Sequence, residues 1–430
     1  MVAASQPLAV AAGLEILGQG GNAADAAVAA AAALNVTEPT STGIGGDCFA
    51  LYYNAADQQV SALNGSGRAP LALTLERLHK EGITSELPPY HPYTITVPGA
   101  CAGWCDLVGR FGSLEMSQVL APAIRLADDG FPVAPLTASF WSRGAERQLK
   151  SAPGGSELTI DGRAPRAGEL FRNPGLARTF RAVAEGGKDA YYQGAIAEAI
   201  ATVIKSAGGC LAASDLAAHE STWDEPISTT YRGVRIWECP PNGQGLAALL
   251  ALNILEGFDL TGHLPLSTRR LHLEIEAMRL AFADTSWYVA DPAFDPAPLE
   301  LLLSKQYAAE RRLLLDTNRA TLDQTYGTPT SASDTVYLSV VDGQGNACSF
   351  INSNYMGFGT GILPPGWGFT LHNRGQNFTL QEGHPNAPAP GKRPYHTIIP
   401  ALATYGDDDA LFASFGVMGG FMQPQGLSLI

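Results

Sequence analysis

The chain reads as a mixed helix-and-sheet protein, α/β or α+β, and three patterns lead there. Helical periods dominate from Pro98 to about Ala283. Two antiparallel hairpins flank them, one in residues 49–63 and one in residues 336–350. No Ser/Gly/Pro linker or block of charge divides the 430 residues, so one large core is expected, and an apolar share of 46% is enough to fill it.

Taken in order, Pro7 to Gly20 carries Leu8, Ala12, Ile16 and Leu17 on one helical face. The pair Gly20-Gly21 ends that helix, and a second opens at Ala23. The Ala-rich stretch Ala23 to Val36 is too short to span a bilayer and holds Asp25 and Asn35, so it predicts a buried helix. Phe49 to Tyr53 and Gln59 to Leu63 alternate as paired strands around the turn Asn54 to Asp57. Gly233 to Trp237 is a strand-like interruption among the later helices. The polar, Thr/Ser-rich segment Asp316 to Asp334 suits an exposed processing loop. Val336 to Val341 then predicts a half-buried strand, Asp342-Gly343-Gln344-Gly345 a hairpin turn, and Asn346 to Phe350 the returning strand. Thr335 falls at the edge of the first. Asp407-Asp408-Asp409 reads as a solvated acidic turn, since calcium needs more widely spaced oxygen ligands.

Composition narrows the chemistry. Lys and Arg number 27 against 41 Asp and Glu, and the net charge of −14 disfavours binding a phosphate backbone, so nucleic acid is not an expected partner. Six cysteines are scattered; only Cys101 and Cys105 fall at helical spacing, in an Ala/Gly-rich segment that favours small buried thiols over a disulfide or a metal. Met1 precedes no basic, apolar and small-residue leader pattern, which makes the cytoplasm the default compartment. H-E-x-x-H, paired C-x-x-C, G-x-x-x-x-G-K-[ST] and G-x-S-x-G do not occur, and Gly43-Ile44-Gly45-Gly46 is a lone glycine loop. No metal and no cofactor are expected.

The residue with the most chemistry to offer is Thr335. As an ordinary β-branched strand residue it needs no further role. If the Asp334-Thr335 bond were cut, however, the freed α-amino group, with a pKa of about 7.7–8.0, would be placed to take the proton from the Thr335 hydroxyl. The surrounding pattern T-x-x-x-S-V-V-D-x-x-G-N-A, met by Thr335, Ser339, Val340, Val341, Asp342, Gly345, Asn346 and Ala347, is followed by Phe358-Gly359-Thr360-Gly361. It resembles the autocleavage site of the γ-glutamyltranspeptidase family, N-terminal-nucleophile hydrolases whose small subunit begins with a catalytic threonine. The likeness extends through QPLAVAAGLEILGQGGNAADAAVAAAAALNVTEPTSTGIGGDCF, TVPGACAGWCDL, APAIRLADDGFPV, GGKDAYYQGAIAEAI, CPPNGQG, LNILEGFDL and IEAMRLAFAD, in the family's order.

That resemblance implies an α+β four-layer αββα sandwich, with residues 1–334 as large-subunit segment and 335–430 as small-subunit segment of one structural unit, the two remaining associated after cleavage. It implies Thr335 as nucleophile, Ser353 as the hydroxyl that orients it, Asn346 in the matching turn, and the backbone N–H groups of Gly419 and Gly420 as the oxyanion hole. The substrate pocket departs from that of the transpeptidases. Tyr355, Arg374 and Gln376 stand where the family holds the glutamyl ammonium, and His396 and Thr397 replace two consecutive serines. Ser66 stands at the position of the carboxylate-clamping arginine, with Arg68 two residues on. These exchanges favour an acyl group with a carboxylate and no ammonium, as in the acylase branch of the family, with a surface salt bridge as the plainer role for Arg374. The expected substrate is a small amide or peptide, γ-glutamyl or dicarboxylic. The segment Gln381 to Lys392 is shorter than the lid of many transpeptidases, which implies an open site. The chain ends at Ile430, ten residues beyond Gly420, so the expected sandwich is C-terminally incomplete.

Overall fold

The computed structural model describes residues 1–321 and 334–429, with the side chain of Asp334 excepted. Most of the expected processing loop, 322–333, lies outside the described residues. Two antiparallel sheets organise the fold. The strands are β1 (Val2–Ala3), β2 (Asp47–Asn54), β3 (Gln59–Gly65), β4 (Phe131–Pro132), β5 (Leu170–Phe171), β6 (Thr222–Asp224), β7 (Ile227–Tyr231), β8 (Val234–Glu238), β9 (Asp334–Val341), β10 (Ala347–Tyr355), β11 (Ala401–Tyr405) and β12 (Leu411–Phe415). Six form one sheet in the order β1-β9-β10-β2-β3-β6, four form another in the order β12-β11-β8-β7, and β4 and β5 make a small ribbon.

The period of two along β10 sorts its side chains between two environments. Cys348 and Phe350 join a core built with the helices Pro7–Gly18, Ala23–Thr37 and Ala100–Phe111, where Cys48, Ala50, Leu338 and Val340 also sit. Ala347 and Ile351 face the other way, into a cluster that holds Phe49 and Leu51 of the same sheet and Leu402 of the second, with Trp237 and Leu411 packed against it. Beyond the second sheet, Ile227 packs with Leu246, Leu250, Met278 and Ala281 of the helices Gly245–Leu255 and Thr268–Tyr288. The expected hairpins are present; β10 runs five residues past the predicted Phe350, so Ser353 and Tyr355 belong to the strand rather than to the loop after it.

The helix Ala23–Thr37 is buried along its whole length. Its alanines permit close approach to the sheet, and its N-terminus is closed by reciprocal capping: Asn22 Oδ1 accepts from the Ala24 and Asp25 N–H groups, and Asp25 Oδ2 accepts from the Asn22 N–H. The Ala23 N–H donates to Asp342 Oδ2 at 3.1 Å, so the turn between β9 and β10 is fastened to the positive end of this helix. Asp342 also accepts from the Gln344 and Asn346 N–H groups, and Asn346 Oδ1 accepts from the Ala55 N–H. The Asp and Asn of the S-V-V-D-x-x-G-N pattern are thereby explained as architecture.

Two buried polar groups stand out on the helical side. Trp104 Nε1–H donates to Asn352 Oδ1 at 2.9 Å, while Asn352 Nδ2 donates to the Gly43 carbonyl, a satisfied bridge from helix to central strand. His219, in contrast, is buried against the Tyr192 ring, and among the described residues neither ring nitrogen is hydrogen-bonded. Burial, with Arg393 nearby, pushes it down to about 3.

A neutral buried histidine makes the fold acid-sensitive. Between the ordinary value of about 6.5 and about 3 the unfolded chain holds a proton at His219 that the folded chain does not, so stability drops as pH falls through that window. The contribution is at most about 1.4 kcal/mol per pH unit. His219→Phe is expected to flatten the fall in urea midpoint between neutral pH and pH 4 while leaving the neutral value unchanged or raised. Equal pH slopes for the two proteins would show that His219 is not a source of the acid sensitivity.

Candidate active site

Thr335, Ser353 and Asp47 lie in one row across three neighbouring strands. Ser353 is the register partner of Asp47 on β2, and Asn352 pairs with Val336 on β9, which brings Ser353 alongside Thr335. The Thr335 Oγ1–H donates to Ser353 Oγ at 3.2 Å, and Thr335 is 4% exposed. Between Asn352 and Tyr355 the register shifts, so that Tyr355 falls opposite Asp334. Tyr355 takes the left-handed φ of 74°, and its N–H donates to Ser353 Oγ at 2.8 Å. This irregularity turns Ser353 toward the threonine, a common use of a bulge beside a reactive group.

Thr335 opens onto a cavity of about 550 Å³. Met418 and Gly419 line it from the C-terminal side, Glu38, Thr40 and Ser41 from the loop after the buried helix, and Thr137 and Phe140 from the helix Pro135–Gly144. Gly419 has φ 134° and Gly420 φ 58°, conformations that favour glycine. Among the described residues neither N–H of this pair has an acceptor, whereas the Gly420 carbonyl accepts from Gln244 Nε2 and the Gly419 carbonyl from the Met422 N–H. Of the two, Gly419 lines the cavity with Thr335, and free backbone donors near a hydroxyl are what stabilising a tetrahedral oxyanion requires.

Behind this row sits a fully buried charged cluster centred on Asp47. Its Oδ1 accepts from the Gly67 and Gly99 N–H groups at 3.0 and 3.2 Å. Its Oδ2 lies 3.1 Å from His396 Nε2, 3.3 Å from His372 Nδ1 and 3.9 Å from Arg374 Nε. Burial opposes the Asp47 charge, and His372 and His396 more than reverse that, holding the carboxyl well below the usual carboxylate range. Burial, with Arg374 close by, pushes His396 down to about 3. His396 therefore meets Asp47 as a neutral ring that donates from Nε2, while its Nδ1 accepts from the Ile398 N–H at 3.4 Å.

Arg374 is not the surface ion pair that its sequence context allowed: it is fully buried. Its Nη1 donates to Thr397 Oγ1 at 2.7 Å and its Cζ lies 4.6 Å over the Tyr355 ring, while among the described residues Nε and Nη2 make no hydrogen bond. Burial pushes it down to about 10, opposed by Asp47, so it stays charged at neutral pH. Tyr355, Arg374, His396 and Thr397 thus come together and connect through Ser353 to Thr335. Gln376 is only half buried and its carbonyl oxygen is unpartnered. Arg68 turns away: its Nη1 donates to the Glu220 carbonyl, and it does not line the Thr335 cavity. The arginine that packs at Ser66 is Arg393, whose Nε donates to the Ser66 carbonyl at 2.9 Å. Asp47, His372 and Arg393 were not singled out from the sequence; the only signal was their place in G-G-D-C-F, L-H-N-R and K-R-P-Y-H. Among the described residues no three His, Cys, Asp or Glu side chains are arranged to hold a metal ion.

With this geometry in hand, the likeness to known proteins is close. The Glutathione hydrolase-like YwrD proenzyme of Bacillus subtilis (strain 168) is 37% identical over 432 residues, taking in 99% of this chain and 79% of its own. The Oxamate amidohydrolase proenzyme of Klebsiella pneumoniae is 35% identical over 434 residues, 99% of this chain and 80% of its own. Among solved structures, the cephalosporin acylase from Bacillus halodurans superposes with a TM-score of 0.92 at 47% identity, over 99% of this chain and 78% of that one. The Helicobacter pylori gamma-glutamyltranspeptidase gives 0.70 at 31% identity, over 75% of this chain and 93% of that one. Residues 9–429 match the profile of the Gamma-glutamyltranspeptidase family, and the chain belongs to that family.

Proposed function

We propose that this chain is an autoprocessing amidohydrolase with an αββα core, which cuts itself at Asp334-Thr335 and hydrolyses N-acyl amides through an acyl-Thr335 intermediate. The observation that carries the reading is the Thr335 hydroxyl held 3.2 Å from Ser353 Oγ at the wall of a cavity shared with Gly419. After cleavage the Thr335 α-amino group takes the hydroxyl proton as the oxygen attacks the amide carbon. The Gly419 and Gly420 N–H groups meet the oxyanion, the proton passes to the departing amine, and water then releases the acid from the threonine ester. The fragments 1–334 and 335–430 stay together, because the first sheet interleaves them: β10 pairs with β2 from Ala347 to Ser353, and β9 pairs with β1.

The acyl group is read as dicarboxylic. Among the described residues Arg374 has two buried donors without a hydrogen-bond partner and no carboxylate closer than Asp47 at 3.9 Å, an unfinished site that an incoming carboxylate completes. Cleavage frees Asp334 from its place opposite Tyr355, the residue stacked on Arg374, and so gives access to that face. The name of the oxamate amidohydrolase relative agrees with hydrolysis of an amide that carries a carboxylate and lacks a neighbouring ammonium.

Thr335→Ala is expected to abolish both self-cleavage, seen as one band in place of two on a denaturing gel, and amide hydrolysis; Thr335→Ser retains part of both. For the processed protein kcat/KM rises with pH through about 7.7–8.0, since the α-amino group acts unprotonated. An alanine variant that processes like the wild type would remove Thr335 from the mechanism.

A second expectation concerns the acyl pocket. A glutaryl amide is cleaved at least as fast as the matching γ-glutamyl amide, and Arg374→Ala loses that preference by about 1.5–3 kcal/mol, with Arg374→Lys in between. Retained self-cleavage on a gel shows that each variant is folded. A strong wild-type preference for the γ-glutamyl compound would instead favour a glutathione hydrolase.

A further inference from the structure

We infer that the cavity at Thr335 continues into a second, basic and aromatic subsite, built on Arg143 and Arg147, that binds an anionic leaving amine. The inference rests on the acyl-threonine reading, because it needs Arg374 to hold the acyl end of the substrate. A cleft of about 200 Å³ is lined by Arg143, Arg147, Gln148, Tyr90 and Met356, and it shares Thr40 and Phe140 with the cavity that holds Thr335. The two spaces therefore share a wall at Thr40 and Phe140. With the acyl carboxylate directed to Arg374 behind Ser353, the nitrogen side of the scissile bond is left to point out toward this shared wall.

The cleft is built for charge of one sign. Both arginines are exposed, and among the described residues neither has an acidic partner; Glu146, between them in sequence, is paired with Lys150 at 3.4 Å instead. The acidic group on the neighbouring cavity, Glu38, is taken up by Ser5 Oγ and Gln6 Nε2. Two unneutralised guanidinium groups facing one concave space repel each other, and an anion between them relieves this. Arg143 Cζ lies 5.6 Å from the Phe140 ring centre, which lays the cation along the cleft wall.

The backbone that carries them is irregular and pinned. Residues Ala145–Leu149 form a π-helical turn, a distortion found at functional sites more often than elsewhere. Gln148 at its end donates through Nε2 to the Gly357 and Gly359 carbonyls, in the loop that follows β10. The arginines are thus tied to the same strand end as Ser353. Tyr90 and Phe140 supply exposed aromatic surface for the body of the amine. The substrate class is an amide between a dicarboxylic acid and an amine that bears its own carboxylate next to an apolar or aromatic group, as in an aryl amino acid or a peptide end.

The experiment compares two isosteric amides, glutaryl-para-aminobenzoate and glutaryl-para-aminobenzamide, which differ only in the charge of the leaving amine. Wild-type protein is expected to prefer the carboxylate by roughly fivefold or more in kcat/KM, chiefly through KM, and added salt should compress the ratio. In Arg143→Ala/Arg147→Ala the ratio falls to about one. Calorimetric binding of para-aminobenzoate and para-aminobenzamide to the same two proteins needs no turnover. A wild-type preference for the anion that the double variant loses supports the subsite, and absence of the preference, or its survival in the variant, overturns it. If neither amide is hydrolysed while the binding preference is present, the acyl-threonine reading fails and the anion subsite stands.

Discussion

One buried carboxylate holds the site together. Asp47 opens β2 directly beside Ser353 and gathers four other parts of the chain: the Gly67 and Gly99 amides donate to one oxygen, His396 Nε2 donates to the other, and His372 and Arg374 lie within 3.9 Å of that second oxygen. A charge removed from water survives only when it is surrounded by donors, so its burial dictates where those loops must run. Gly67 shows how tightly: a Cβ there would stand 1.5 Å from the Val97 carbonyl oxygen. Ser353, Arg374, His396 and Thr397 inherit their positions from this arrangement, and through Ser353 so does Thr335.

The same economy appears in the strands. β9 and β10 occupy the middle of the six-stranded sheet, between β1 and β2, so the segment that begins at Thr335 is locked on both sides by chain that precedes it. A bond placed at the start of β9 is then one whose loss costs little of the pairing: β9 to β1, β10 to β2 and β11 to β8 all lie beyond it. Reactive ends are tolerated where the surrounding structure already over-determines their position. The left-handed Tyr355, the register shift after Asn352 and the Gly419-Gly420 pair are local irregularities of this kind, all around one hydroxyl.

Much of this was legible from residue order. Helix and strand periods placed the two N-terminal helices and both hairpins within a few residues, and the T-x-x-x-S-V-V-D-x-x-G-N-A pattern pointed to Thr335 and Ser353, which the structure places in contact. The same pattern placed Asp342 and Asn346 in a hairpin turn, and their contacts are with a helix end and with that turn. Arg374 was read with a surface salt bridge as a plain alternative, and Arg68 as a pocket residue; one is fully buried and the other turns outward to Glu220. Side-chain direction in irregular loops follows from tertiary contacts that no local period encodes.

By itself, then, the sequence determined the family and the mixed helix-and-sheet class, and it singled out Thr335, Ser353 and the Gly419-Gly420 pair as candidates, because each is carried by a short contiguous pattern or by a 2.0 or 3.6 residue period. Only the tertiary structure decided that Asp47 is the hub, that His372 belongs to it, that Arg393 rather than Arg68 packs at Ser66, and that Arg143 and Arg147 share a wall with Thr335. These groups are separated by tens to hundreds of residues along the chain. What joins those around Asp47 is the low-dielectric interior, in which a buried charge selects partners by distance and not by order, whereas Arg143 and Arg147 are brought to their wall by the packing of the backbone that carries them.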